Sequence, residues 1–288
     1  MIQINPGGAN GCSRPFTPGE IAKAITGRDY LSHSQITLFQ ACTLKWHFTY
    51  VEQAAPETVS AALLLGSSIH VVIQHHLQCQ LAAEKPPTID QLMELFHKTW
   101  TDEAKDTPVD YSGEEDAGSQ AELARRMLDS FLASPYGAAE GQTLGIEETL
   151  RIPLHPELPE LVTRVDHIAI ANDALLVTDF KTTRSMWNLG TAEEHAEQLH
   201  LYAEAVKAIA ENFNIPVNIR FVVITKAKTP KVNVFEIETD SLRVKRSTLV
   251  FQNVFKAMQT GVVYPSPSKM NCSGCPFKQR CKSWAGGG

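Results

Sequence analysis

Two aspartates and a lysine in the middle of the chain have the residue types and spacing of a phosphoryl-transfer site. Asn172-Asp173 lies between two apolar runs and predicts a two-residue β-turn that pairs residue 171 with residue 174. Counting back from that pair, Asp166 would face Asp179 directly, with their Cβ atoms about 4.5–5.5 Å apart. Lys181 follows Asp179 by two residues and so projects from the same face of the strand.

The face that carries the two aspartates is otherwise apolar and is expected to point into a core. Its other members are Ile168, Ile170, Leu175 and Val177. Two like charges opposed on such a face destabilise the fold unless a cation compensates them. Hard oxygen ligands select Mg²⁺ or Mn²⁺. The structural alternative is one carboxylate at a strand end and the other paired with Arg164 or Lys181.

A cation and an ammonium group together indicate hydrolysis of a phosphate ester. The metal would polarise the phosphate and lower the pKa of an attacking water. Lys181 would orient or help deprotonate that water and offset charge that builds on the phosphoryl group.

A second cluster, of cysteines, closes the chain. Cys272, Cys275 and Cys281 have the spacing C-x₂-C-x₅-C, and Cys42 lies some 230 residues upstream. The spacing matches neither a ferredoxin nor a zinc ribbon with two C-x₂-C pairs. The N-terminus lacks the features of a signal peptide, so we expect a cytoplasmic protein in which clustered cysteines bind metal. Cys12 and Cys79 lack partners at ligand spacing.

Periodicity predicts an α/β fold with a mixed sheet around these residues. Residues 1–30 are predicted to be irregular, 31–284 a single domain, 84–140 a helical insertion within it, and 264–284 the cysteine segment. Capping patterns at Thr88, Ser119 and Thr191 predict helices that begin at these positions, the second running to about 133 and the third to about 212. Further helices are predicted at 34–50, 59–82 and 240–260, and strands at 146–154, 161–170, 174–180, 217–225 and 232–238.

Charge is unevenly distributed. The net charge is −6, yet residues 220–288 hold twelve Lys and Arg against three Asp and Glu. A basic C-terminal third can bind phosphates on an otherwise acidic protein, although a solvated charged surface gives the same pattern. No apolar run approaches the ~20 residues that span a bilayer.

Asp166, Asp179-Phe180-Lys181 and Gln198-x-x-x-Tyr202 resemble the PD-(D/E)xK nuclease superfamily in its RecB-like branch. The cysteines resemble the iron–sulfur subgroup that includes AddB-type and CRISPR-associated adaptation nucleases. The resemblance covers about 32–284 and implies a restriction-endonuclease-like core acting on DNA.

The resemblance also implies roles for individual residues. His70, Asp166, Asp179 and the backbone carbonyl of Phe180 would bind Mg²⁺ or Mn²⁺, and Lys181 would be the catalytic lysine. Gln198 and Tyr202 would hold DNA near the site. Glu147 and Glu148 on the first strand are further candidate ligands that we leave unassigned.

In the same subgroup a cysteine in the position of Cys42 joins three C-terminal cysteines around a [4Fe–4S] cluster. Cys42, Cys272, Cys275 and Cys281 are therefore expected to hold such a cluster, with zinc as the less favoured alternative. The cluster would be structural, closing a loop of about 240 residues.

The sequence thus predicts a metal-dependent DNA nuclease. Exonuclease action on single-stranded DNA or duplex ends is favoured, in recombination, repair or CRISPR-type processing. A non-catalytic DNA-binding scaffold subunit and a structure-selective endonuclease are the alternatives. No G-x-x-x-x-G-K-[ST] loop occurs, so a helicase partner would be a separate protein.

Overall fold

The computed structural model describes residues 14–111 and 116–284. Contacts divide the chain into a first unit of residues 1–57, 151–162 and 245–288, and a second unit of residues 58–150 and 163–244. The single domain predicted for 31–284 stays a prediction, and Cys12 lies outside the described residues.

The elements follow in chain order. The helices are α1 (Pro18–Thr26), α2 (His33–Ala41), α3 (Thr43–Trp46), α4 (Ala61–Leu81), α5 (Ile89–Ala104), α6 (Ala117–Leu132), α7 (Leu189–Glu194), α8 (Glu197–Phe213), α9 (Ser241–Gln259), α10 (Lys269–Cys272) and α11 (Lys278–Ser283). The strands are β1 (Leu31–Ser32), β2 (Val59–Ser60), β3 (Val109–Asp110), β4 (Gln142–Ile152), β5 (Leu161–Ala171), β6 (Ala174–Thr183), β7 (Val217–Thr225) and β8 (Val232–Ile237).

The first unit departs from the sequence prediction at two places. Thr17 and Glu20 exchange capping-box hydrogen bonds that begin α1, so irregular structure is wrong for residues 18–26. The helix predicted over 34–50 is interrupted at Cys42, which has an extended backbone with φ −161° and ψ 107°. It continues as α3 and a π-helical turn, His47–Val51.

The second unit is built on a mixed sheet in which β5, β6, β7 and β8 follow one another and β4 also pairs with β5; strand β1 pairs with Leu161 and Val162 at the start of β5. Strands β5 and β6 are antiparallel, β6 and β7 parallel, and β7 and β8 antiparallel. This confirms the predicted α/β fold with a mixed sheet.

The hairpin between β5 and β6 has the predicted turn and register. Asn172 and Asp173 both adopt positive φ, 50° and 57°, as a two-residue primed turn requires. Pairs run from Ala171 with Ala174 to His167 with Thr178, which places Asp166 and Asp179 next in line beyond the last recorded pair.

Two hydrophobic cores lie on opposite faces of the sheet, and successive residues of β6 and β7 point alternately into one or the other. Phe180, Val222 and Ile224 pack with α4, α5 and α6. Leu175, Val177, Ile219, Phe221 and Val223 pack with α8. Asp179 and Lys181 continue the second series, so they lie on the α8 face.

The alternation of β5 shifts by one residue just before the hairpin pairs begin. Val165 and Ile168 both pack in the α8-side core, although residues three apart point to opposite faces of a regular strand. A shift of this kind re-aims the side chains on one side of it relative to those on the other. Strand β4 has its own irregularity at Glu147, whose φ is 56°. Both irregularities lie where the candidate site forms.

Two predicted helix starts are also corrected. Asp116, rather than Ser119, caps α6 and pairs with Ser119 in a capping box. Asn188, rather than Thr191, caps α7, and the helix predicted over 191–212 breaks at His195 and Ala196 before α8 begins. Among the residues described, no helix is long and apolar enough to span a membrane.

Candidate active site

His70, Glu147 and Asp166 converge in the second unit from α4, β4 and β5. Each offers a ligand atom within 4.8 Å of those of the other two, and all three side chains are partly buried. His70 Nδ1 lies 3.6 Å from Asp166 Oδ2. Two carboxylates and an imidazole in one place form a donor set that a divalent cation can bind.

Asp166 is held by the backbone of the neighbouring strand. Its Oδ2 accepts a hydrogen bond of 2.7 Å from the backbone N–H of Phe180. Burial, and then the nearby charges of Asp179 and Glu147, hold the pKa of Asp166 well above its ordinary value. The hydrogen bond from Phe180 opposes this shift without cancelling it. The negative charge therefore lacks compensation in the protein alone.

Glu147 is the member of this set that the sequence left unassigned. Its carboxylate also forms an ion pair with Arg164, whose side chain is largely exposed. Burial raises the pKa of Glu147, while Arg164 opposes the shift. The positive φ of Glu147 breaks the alternation of β4, which is why a regular strand pattern could not identify it. The sequence feature that could have identified Glu147 as a ligand was its acidic side chain on the strand next to the one that carries Asp166.

His70 completes the set from the helix side. Burial is the largest cause of its lowered pKa, which Lys181 and Arg164 lower further while Asp179 raises it. The lowered pKa keeps the imidazole neutral and its nitrogen available as a ligand at neutral pH.

Asp179 and Lys181 form the adjoining pair. Lys181 Nζ lies 2.9 Å from Asp179 Oδ2, and the Asp179 side chain is only 2% exposed. This contact is an ion pair without hydrogen-bond geometry. Asp179 Oδ2 is therefore a buried oxygen that has no hydrogen-bond donor among the described residues. The contact agrees with the prediction that Asp179 and Lys181 project from the same face of the strand. It is also the pairing expected if Asp179 simply forms an ion pair with Lys181 and binds no metal.

Gln198 and Tyr202 extend the contacts from Lys181 along α8. Lys181 Nζ donates to Gln198 Oε1 at 3.2 Å, and Gln198 Nε2 donates to the Tyr202 hydroxyl. Tyr202 is almost fully buried, and burial followed by the charges of Asp179 and Asp166 raises its pKa well above the ordinary value. Gln198 therefore supports Lys181 directly and Tyr202 supports Gln198, contacts that the sequence prediction did not include.

Phe180 has its ring in the core below α4, where it makes an edge contact with Phe131. Its backbone N–H donates the hydrogen bond to Asp166. Metal binding by its backbone carbonyl stays a prediction.

The four predicted cysteine ligands line a single cavity in the first unit. Cys42, Cys272, Cys275 and Cys281 surround it together with Leu44, Phe48 and Phe277. Burial, and then the other three cysteines, raise the pKa of the Cys281 thiol. Among the described residues, however, no three cysteine sulfurs lie within 4.8 Å of one another.

Direct hydrogen bonds also join the two segments that carry these cysteines. Thr43 Oγ1 donates to the Tyr264 carbonyl at 2.9 Å and accepts from its N–H at 2.8 Å. The Glu57 carboxylate accepts from the N–H groups of Gln279 and Arg280 at 2.9 and 2.7 Å, at the start of α11.

One family model matches most of the chain. The family model of the PD-(D/E)XK nuclease superfamily matches residues 30–282, a range that includes the acidic site and the four cysteines. A candidate exonuclease from Eubacterium rectale, solved by crystallography, is similar over 88% of this chain and 87% of its own, with a TM-score of 0.55 and 13% identity. The solved protein SSO0001 aligns over 85% of this chain and 93% of its own, with a TM-score of 0.34 and 15% identity. A search of curated proteins found no match.

Proposed function

Because the chain belongs to the PD-(D/E)XK nuclease superfamily, we propose that it is a metal-dependent DNA nuclease of the RecB-like branch. The observation that carries this proposal is the convergence of His70, Glu147 and Asp166 beside the Asp179–Lys181 pair. A non-catalytic DNA-binding scaffold would have no use for a buried carboxylate, Asp166, whose pKa is raised by burial and by the charges of Asp179 and Glu147.

The donor set suits Mg²⁺ or Mn²⁺. We propose that His70, Glu147, Asp166, Asp179 and the carbonyl of Phe180 hold the ion, which supplies positive charge against the phosphate and promotes ionisation of water. Asp179 does not belong to the converging group of His70, Glu147 and Asp166. To bind the ion, its carboxylate must contact both Lys181 and the metal.

Lys181 is the proposed catalytic lysine. Its side chain is 31% exposed, and its ammonium group contacts both Asp179 and Gln198. In that position it can orient a water molecule and stabilise charge on the phosphoryl oxygens. Gln198 and Tyr202 then act as positioning residues for Lys181 as well as candidate contacts to DNA.

The proposed substrate is single-stranded DNA or a duplex end. Exonuclease action is favoured because the solved protein of similar fold is a candidate exonuclease. The proposed setting is recombination, repair or CRISPR-type processing, with any helicase supplied by another protein.

We further propose that Cys42, Cys272, Cys275 and Cys281 hold a [4Fe–4S] cluster. They supply four thiolate donors around one apolar-walled cavity, as such a cluster requires. Sulfurs around a single zinc ion lie roughly 3.8 Å apart, a spacing that no three of the described cysteines approach. The described cysteines form no disulfide, in keeping with the proposed cytoplasmic location.

Degradation of end-labelled single-stranded and duplex DNA in Mn²⁺, with EDTA as the control, tests the proposed function. We expect products from the wild type only with metal, and none from Asp179→Ala that keeps a native circular dichroism spectrum. A wild type that is inert in Mg²⁺ and Mn²⁺ on both substrates would overturn the proposal.

A further inference from the structure

The loop between β7 and β8 carries three lysines and emerges beside the candidate active site. Lys226, Lys228 and Lys231 fall within six residues. Strands β6 and β7 are parallel, with Lys181 paired to Val223 and Thr183 to Thr225. Parallel strands end at the same edge of a sheet, so the loop begins at the edge where β6 ends, two residues beyond Lys181.

Hydrogen bonds hold the loop in place. The N–H of Lys226 donates to the Thr183 carbonyl at 2.6 Å, which ties the loop to the end of β6. Lys226 Nζ donates to the Ala62 carbonyl in the first turn of α4 at 2.9 Å. Thr225 and Lys231 close the loop with backbone and side-chain bonds of 3.0 and 2.8 Å. The lysines are therefore presented from a supported turn.

Lys228 and Lys231 are the exposed lysines of this loop. Within residues 14–111 and 116–284 neither forms an ion pair with a carboxylate. Lys226 is half-buried and contributes to the position of the loop through its bond to Ala62.

We infer that Lys228 and Lys231 bind the sugar–phosphate backbone of the DNA substrate beside the cleavage site, an inference that rests on the proposed function. A chain of five residues from Val223 reaches at most about 18 Å, and neighbouring strands are about 4.8 Å apart. Lys228 thus lies within about 23 Å of Lys181, a distance that a few nucleotides of single strand cover. Lysine contacts of this kind add affinity without sequence preference.

The chain offers a matched control. Lys85 is exposed and likewise unpaired with a described carboxylate. It follows the C-terminal end of α4, about 30 Å along that helix from Ala62. Lys85→Gln is therefore the control for the single substitution Lys228→Gln.

The test is fluorescence anisotropy of a labelled single strand over a series of salt concentrations, with Ca²⁺ in place of Mn²⁺. The proteins are wild type, the loop variant Lys228→Gln/Lys231→Gln, the single variant Lys228→Gln and the control variant Lys85→Gln. We expect the loop variant to bind about tenfold more weakly at low salt, and its slope of log affinity against log salt to fall by about 1.4. The control variant should match the wild type in both quantities.

If the wild type cleaves DNA and the loop variant binds DNA with the same affinity and salt slope as the wild type, the inference is overturned and the proposed function stands. A wild type that neither binds nor cuts DNA would overturn both. Thermal melting of each variant checks that the exposed substitutions leave the fold intact.

Discussion

The Asp166 carboxylate accepts its hydrogen bond from the backbone N–H of Phe180, the residue between Asp179 and Lys181. This one contact sets the position of the first aspartate relative to the other two catalytic candidates. It lies just beyond the last backbone pair between β5 and β6, which joins His167 to Thr178. The Phe180 N–H is thus used to hold a side-chain carboxylate at the end of the hairpin.

Replacing Asp166 with Asn should stabilise the metal-free protein while abolishing metal-dependent activity. The raised pKa means that the charged carboxylate disfavours the folded state. This penalty is full above the raised pKa and disappears as pH falls below the unfolded value of about 3.9. We expect a gain on the order of 1 kcal/mol at neutral pH, a rise of about 2–4 °C in Tm.

Thermal unfolding in EDTA at several pH values measures this difference. Asp129→Asn, on the exposed face of α6, is the matched control and should change little. The difference in Tm between Asp166→Asn and the wild type should become smaller as pH falls. A variant that melts below the wild type at every pH would contradict the prediction.

Binding of Mn²⁺ should release protons and strengthen as pH rises. Asp166 must lose its proton to act as a ligand, whereas the lowered pKa of His70 leaves its nitrogen already neutral. Isothermal titration calorimetry in two buffers of different ionisation enthalpy should give up to about one proton released per ion. In Asp166→Asn the release should fall towards zero, and an unchanged value would refute this account.

Glu147 and Glu148 are adjacent carboxylates with different expected roles. Glu147 converges with His70 and Asp166, while Glu148 is exposed. Glu147→Gln should weaken Mn²⁺ binding by at least about tenfold, and Glu148→Gln should leave it unchanged. Equal effects of the two substitutions in calorimetry would show that convergence at Glu147 has no bearing on the metal.

Regular features of this site could be predicted from the sequence because they depend on local rules. Asn172-Asp173 determines the turn, the turn determines the register, and the apolar alternation locates strand β7 at Val217–Thr225 as predicted. The spacing of Gln198 and Tyr202 places both on one face of α8, where they do contact each other.

The irregular features depend on tertiary context and were missed. The shift between Val165 and Ile168 and the positive φ of Glu147 leave no signature in the alternation of residue types. Asn188 competes with Thr191 as a cap, and both have suitable side chains, so the choice depends on where the chain leaves β6. The extended Cys42 interrupts a helix whose apolar periodicity continues through it.

Loss of one cysteine ligand should remove the proposed cluster and destabilise the protein. We expect Cys42→Ser to lose the broad absorbance near ~400 nm and about 2–5 kcal/mol of unfolding free energy, since the cross-link closes a long loop. Cys79→Ser is the control, because Cys79 is buried outside the cavity. Anaerobic purification, iron analysis and denaturant unfolding measure both effects. A colourless wild type with stoichiometric zinc would contradict the iron–sulfur proposal and leave the acidic site unaffected.

The central claim is that the group of residues around Lys181 hydrolyses DNA, and one comparison tests it most directly. Initial rates of degradation of end-labelled single-stranded DNA at saturating Mn²⁺ should be measured for wild type and Lys181→Met, with Mn²⁺ affinity determined on the same preparations. The account predicts a rate at least about 100-fold lower for Lys181→Met, with Mn²⁺ bound at least as tightly. Equal rates for the two proteins at full metal occupancy would contradict it.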